Sequence, residues 1–321
     1  MVEPLFMTPV FHHKIWGGSK LQSQFGFKIP DDQTGEAWII SGHSHGPTAV
    51  ANGRFKGQTL AALWQTHKEL FNNEAGAVFP LLIKILDAKT DLSIQVHPDD
   101  AYAAEHEHEL GKTECWYILQ ADPGAKLYYG HQATTRDELK TMIEAQDWSH
   151  LLRQIPVKAG EFYYVPSGTI HALGQGILAL ETQQSSDSTY RVYDFDRLDK
   201  QTGQKRALHL KQAIDVTRVP HVDPVLDIAT TSERGLTKTH LLSSPYFDVE
   251  KWQCTGSTTQ RRQADYQLFT VIDGNGTLTV DGHDYPLEKG ASFVIPYDVD
   301  QLALTGSMVL ITSWPNQTQA K

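Results

Sequence analysis

The chain has 321 residues, enough for two buried cores at about 150 residues per domain, and 28 Lys+Arg against 38 Asp+Glu leave a net charge of −10, which disfavours nucleic acid as a partner. With 40% hydrophobic and 21% charged residues the composition is that of an ordinary globular protein, which excludes disordered and collagen-like classes. Two cysteines, Cys115 and Cys254, make neither a disulfide scaffold nor a CxxC cage, and MVEPLFMTPVFHHKIWGG is no export leader, so the reading is a cytoplasmic protein with no membrane span.

Short runs rich in Val, Ile, Thr and aromatics, broken by NG, DG and PG, predict a mainly β, antiparallel protein with few helices. Thr59 to Phe71 carries Leu60, Leu63, Trp64 and Leu70 at helical spacing behind a Thr cap. Lys84 then interrupts the apolar run PLLIKIL, where a lysine either lines a pocket or snorkels from a strand edge. In DLSIQVHPDD, residues 91 to 100, Ser93, Gln95 and His97 alternate with apolar residues and share one strand face. That face holds a metal with a polar ligand, or it is simply solvated. A second helix is expected around Pro98 to Leu110. Its His106 and His108, two apart, would not share a helical face and are read as exposed surface, as is the pair His12-His13.

The next strand, LGKTECWYIL, places Lys112 and Glu114 on one face. A third helix is expected from Thr135 to Leu152, opened by a Thr135/Glu138 capping box. GEFYYVPSGTIHAL, residues 160 to 173, then delivers His171 from a Pro166-Gly168 turn into the sheet interior, with the spacing GxxxxxPxGxxH. His97, Glu114 and His171 together supply two imidazoles and one carboxylate, a metal-binding set if separate strands converge. A fourth helical pattern covers Leu208 to Val216. A connection is placed at 221–235, dividing a metal-binding domain, 1–220, from a purely β domain, 236–321. Gly290-ASFVI-Pro296 echoes the GxxxxxP of Gly160 to Pro166, which suggests two domains of one fold type. The position matching His171 is Gln301 there, no HxH precedes it, and this domain is expected to hold no metal. Tyr246, Phe247, Trp252 and Phe293 are expected in its own core.

These motifs carry a resemblance. Gly160 to His171 is similar to the second cupin motif, and HHKIWGG, GEAWIIS, QVHPDD, GKTE and STYRVYDFDR resemble, in order, the short bacterial form of the type I mannose-6-phosphate isomerases, over about residues 5 to 220. The resemblance implies two cupin-like jelly rolls, the first with helical insertions. It implies one Zn2+ per chain on His97, Glu114, His171 and Gln95, and an active site including Lys84, Lys112, Glu181 and Arg191. The implied reaction interconverts mannose 6-phosphate and fructose 6-phosphate by proton transfer through an enediol, with a small sugar phosphate as the partner. Two other readings stay open on the residues alone. Two histidines and a carboxylate also make the ligand set of non-haem Fe(II) oxygenases, and a non-enzymatic sugar-binding cupin would share the fold. For Arg191 the local alternative is an ion pair with Asp194 or Asp196.

Overall fold

A computed structural model describes residues 3–199 and 202–316. All eight residues of Thr34–Ser41, of Leu81–Ala88 and of Ile177–Gln184 are buried, so these strands have two interior faces and read as apolar runs and not as alternation. They are central in an antiparallel six-stranded sheet that runs from Phe162–Val165 through Glu114–Ala121 to Val10–Gly18 at the far edge. A five-stranded sheet includes Tyr190–Tyr193, Ile94–Val96, His171–Leu173 and Lys126–His131. Leu86, Trp116, Ile118, Leu127, Leu173 and Ala179 form a core shared by the two sheets.

Alternate residues of the same strands point the other way. Ile83, Ile85, Tyr117 and Leu180 pack with Phe247, Val249, Leu268 and Ile311 of a nine-stranded sheet built mostly from the C-terminal part of the chain. A third cluster, around Trp252, Phe269, Phe293 and Leu304, lies within that part. Trp252 and Phe293 are fully buried there as expected, whereas Phe247, equally buried, belongs to the core between the sheets. Tyr246 is not in the third cluster either. It is half-buried against the core between the sheets, beside a groove it shares with Asp100 and Gln184, where its hydroxyl keeps polar surroundings.

The GxxxxxP echo has one geometry in both places. Gly160 (φ 89°) and Gly290 (φ 94°) each turn the chain, through the left-handed region that glycine tolerates, into the strands Phe162–Val165 and Ser292–Ile295. Gln301 is exposed at the start of Gln301–Pro315. Strand structure also begins inside the expected connection, because Ala229–Glu233 pairs with Leu236–Ser243. The sheet also reaches back across the sequence: Leu5–Thr8 pairs with Ser292–Ile295, Leu5 opposite Val294, and with Ala49–Val50.

The helices follow their caps. Thr59 Oγ1 accepts from the Ala62 N–H at 3.1 Å and opens Leu60–Thr66, which a 3-10 turn at Lys68–Phe71 extends. Asp99 caps Asp100–His106, which stops short of the expected Leu110. The third helix is two: Arg136–Glu144 and Trp148–Leu151, separated where Gln146 takes φ 54°. Its box is shifted, since Glu138 accepts from the Thr134 N–H (2.8 Å) and hydroxyl (2.7 Å), one residue ahead of the Thr135 cap. Leu210–Val216 is the fourth helix, and Lys20–Phe25, ended by Gly26 at φ 68°, has no counterpart in the sequence reading. Among the described residues no helix is long and apolar enough to cross a membrane.

Candidate metal centre

His97 follows the strand Ile94–Val96, Glu114 opens Glu114–Ala121 and His171 opens His171–Leu173. Register brings them together. His171 lies opposite Gln95, Glu114 lies opposite Val165 at the end of the GEFYYV strand, and the Gly168 N–H donates to the His97 carbonyl at 2.8 Å. The three are fully buried, and their ligand atoms all lie within 4.8 Å of one another. His171 Nε2 is 3.1 Å from Glu114 Oε1, and His97 Nε2 is 3.4 Å from Glu114 Oε2.

The protonation pattern is what makes this a cation site. His97 Nδ1 sits 2.9 Å from the Ser188 carbonyl and His171 Nδ1 sits 2.8 Å from the Thr169 carbonyl. A carbonyl can only accept, so each Nδ1 carries a proton, and a neutral His97 then turns its Nε2 lone pair toward Glu114. Burial, then Lys112, hold the His97 imidazole well below its usual value and hence neutral. Glu114, which burial alone would raise, is held low first by Lys112 and stays ionised. His97 Nε2 and both Glu114 oxygens are buried with no hydrogen-bond partner. Lone pairs converging on lone pairs in a dry interior are costly unless a cation sits between them, and second-site carbonyls on both imidazoles are the usual support of metal-ligating histidines. The residues fit a divalent metal.

Gln95 Nε2 lies 3.5 Å from His171 Nε2, and Gln95 also lines an adjoining pocket. Lys84, Lys112, Glu181 and Arg191 line the same pocket, so all the residues named from the sequence meet in one place. Lys84 does not snorkel. It is 2% exposed, with Nζ 3.4 Å from Glu181, 3.9 Å from Glu36 and over the Trp38 ring. Burial works against its charge, but Glu36 and Glu181 outweigh burial and raise it above the usual lysine value. Burial, and then Glu114, raise Glu181, whose Oε1 accepts from the Trp116 indole N–H at 3.0 Å. Lys112 Nζ is 3.4 Å from Glu114. Arg191 has neither of the expected ion pairs. Asp194 is taken by Arg197 and Arg206 and Asp196 by Lys205, while Arg191 donates to the neutral Ser93 hydroxyl (3.3 Å) and Ala207 carbonyl (2.8 Å). Burial and then Arg206 push it down to about 10, so it keeps its proton at neutral pH.

Sequence reasoning missed Lys14, Glu36, Asp187 and Arg206. They bring the pocket to five cationic side chains against three carboxylates, in a protein of net charge −10. Glu36 is held low, against burial, by Lys14 at 3.1 Å and by Lys84, and it accepts from the Trp38 indole at 2.7 Å. A glutamate inside the apolar strand GEAWIIS was the available signal, as Lys84 was in PLLIKIL. His12 packs on Trp38 and borders the site behind it, so it is not the plain surface residue expected. His106 ends its helix with its ring tilted against Tyr102, and His108 lies beyond the helix at φ 59°, both exposed. Replacing either by Ala should leave the metal content, measured by elemental analysis, unchanged. Loss of metal from His106→Ala or His108→Ala would place the site elsewhere.

Antiparallel sheets closed over a buried cluster of two imidazoles and a carboxylate define a cupin with a candidate metal centre. A family model described as the phosphomannose isomerase type I catalytic domain matches residues 5–121, and a mannose-6-phosphate isomerase cupin-domain model matches residues 237–315. The chain is 52% identical over 317 residues to a mannose-6-phosphate isomerase of Streptococcus mutans, covering 99% of this chain and all of that one. It belongs to the type I phosphomannose isomerase family. A crystal structure of mannose 6-phosphate isomerase from Bacillus subtilis is 49% identical with a TM-score of 0.95, covering 97% of this chain and 99% of that chain. A putative mannosephosphate isomerase from Archaeoglobus fulgidus, 20% identical with a TM-score of 0.73 and covering 98% of each chain, shares the fold.

Proposed function

We propose that this site interconverts mannose 6-phosphate and fructose 6-phosphate, with one zinc per chain held by His97, Glu114, His171 and Gln95. The observation that carries the reading is His97 Nε2 and both Glu114 oxygens, buried without hydrogen-bond partners, meeting His171 beside a pocket rich in cations. Rotating the Gln95 amide by half a turn presents its oxygen to the cluster, a choice the carbon skeleton leaves open. When bound, a divalent cation supplies Lewis-acid stabilisation of negative charge on a sugar oxygen, and a neutral Gln ligand preserves more of its charge than a second carboxylate would.

The reaction takes a proton from the carbon next to a carbonyl and returns one to the neighbouring carbon, through an enediol. Glu181, raised by burial, is suited to accept that proton, since a carboxylate with a raised pKa is a stronger base. Lys84 keeps its proton and so acts as a fixed positive charge beside it, opposing build-up of negative charge on the substrate. Arg191 and Lys112 offer charge-assisted hydrogen bonds to phosphate or to the enediolate oxygens. The surplus of cations in the pocket draws a dianionic sugar to a protein whose overall charge repels it.

A coupled assay on mannose 6-phosphate before and after chelation tests this directly. Activity should vanish on metal removal and return with Zn2+, with no oxygen uptake at any stage. Full turnover by metal-free protein, or oxygen consumption with added Fe(II), would replace this reading by another.

A further inference from the structure

We propose that Glu109 is a positioning residue that aims His97 at the metal by anchoring the 186–188 loop, an inference that rests on the reading of His97 as a metal ligand. Glu109 sits in the HEHEL run whose histidines lie outside the site. One of its carboxylate oxygens, Oε2, accepts from three consecutive residues: the Ser186 hydroxyl at 3.2 Å, the Asp187 N–H at 3.3 Å and the Ser188 hydroxyl at 2.9 Å. Its other oxygen faces His43 Nε2 at 3.4 Å. Residues 186–189 belong to no strand, so side-chain bonds stand in for the sheet ladder that places backbone elsewhere. Charge-assisted bonds to one carboxylate are the strong members of that set.

The loop matters because the Ser188 carbonyl receives the His97 Nδ1–H at 2.9 Å, which fixes both the tautomer and the direction of Nε2 toward Glu114. The two imidazoles differ in this respect. His171 bonds the Thr169 carbonyl two residues away, within its own turn, and that geometry is local. His97 depends on a carbonyl 91 residues along the chain, and without a brace its acceptor would drift. Glu109 is that brace. Asp187, carried by the same loop, lines the substrate pocket, so one anchor serves both the ligand and the pocket wall.

The test uses the full chain, stripped of metal, with Zn2+ alone titrated against a chromophoric chelator and the melting temperature of each metal-free protein recorded in parallel. Glu109→Ala should still bind one Zn2+ but about tenfold more weakly than wild type, as outer-shell substitutions do. Glu109→Gln keeps an oxygen acceptor at the same reach and should recover much of that loss even where its metal-free stability matches that of Glu109→Ala. A purely structural role would lower both melting temperatures and leave the Zn2+ affinity alone. Affinity of Glu109→Ala within about twofold of wild type would overturn the proposal. Should Glu109→Ala fail to fold, the double variant Ser186→Ala/Ser188→Ala removes two of the three anchoring donors. It should weaken Zn2+ by about threefold or more, and an unchanged affinity overturns the proposal equally. His97→Ala separates the two levels: it should lose stoichiometric Zn2+. If it binds normally, the metal reading itself falls, whereas loss there with normal binding by the Glu109 variants condemns only the anchor.

Discussion

His171→Ala is expected to purify with well under one metal per chain and to lose roughly a thousandfold in kcat/KM, corresponding to about 4 kcal/mol of transition-state stabilisation from a Lewis acid. The reason lies in geometry on both sides of the ring. His171 Nε2 lies 3.1 Å from Glu114, and its removal leaves one imidazole, one carboxylate and the neutral Gln95 amide, which is a weak ligand set for a divalent ion. The metal-free variant should melt no lower than metal-free wild type. In the wild-type apoprotein both Glu114 oxygens are buried with no hydrogen-bond partner, Lys112 Nζ lying 3.4 Å from the carboxylate, and the substitution relieves the polar crowding around them. Elemental analysis, a coupled assay and melting in chelator read these three quantities. Stoichiometric metal with full activity would show that the ligands are misassigned.

Lys84→Met is expected to destabilise the fold by about 3–5 kcal/mol and to abolish turnover. Lys84 is the shared cation of two buried carboxylates, and Met fills the space without neutralising either. Glu36 retains Lys14, so the stranded charge is mainly Glu181. Its pKa, already raised by burial, should rise further. A carboxyl whose folded pKa exceeds its unfolded value binds more protons when folded, so the penalty sets in as pH rises above about 4 and is relieved in acid. Lys84→Met/Glu181→Gln should therefore recover most of the lost stability, with no recovery of activity, because the double variant buries no unpaired charge. Chemical denaturation of the four proteins at pH 5 and pH 8 measures the cycle. A Lys84→Met protein that is active and as stable as wild type would mean that the lysine serves neither carboxylate.

The candidate metal ligands were legible because each sits in a short motif whose geometry is local. Pro166 and Gly168 build the turn that presents His171, and period two places Gln95 beside His97. Lys84 was conspicuous as the one charge in PLLIKIL. What stayed hidden depends on which strands pair. Glu36 reaches Lys84 only because Trp38 lies opposite Lys84 across two strands, and no period within GEAWIIS encodes that register. For Arg191 the nearby aspartates offered an alternative that the sequence could not dismiss, and Arg197 and Arg206 occupy Asp194 instead. Glu109 was masked by a charge run that reads as solvated surface. Helix ends failed for backbone reasons: Gln146 in the left-handed region divides the Thr135–Leu152 pattern, where side-chain periodicity alone runs on.

The strand Leu5–Thr8 pairs with Ala49–Val50 on one edge and with Ser292–Ile295, synthesised long after it, on the other. Until that later segment is made, the second edge stays open on a strand carrying Leu5 and Met7, two side chains bound for the core between the sheets. Such an edge is open to pairing with other chains, and closing it demands the longest contacts in the molecule. Fragments that stop before residue 292 should therefore be prone to aggregation even with every candidate metal ligand present, and the nine-stranded sheet is completed only after that segment is made.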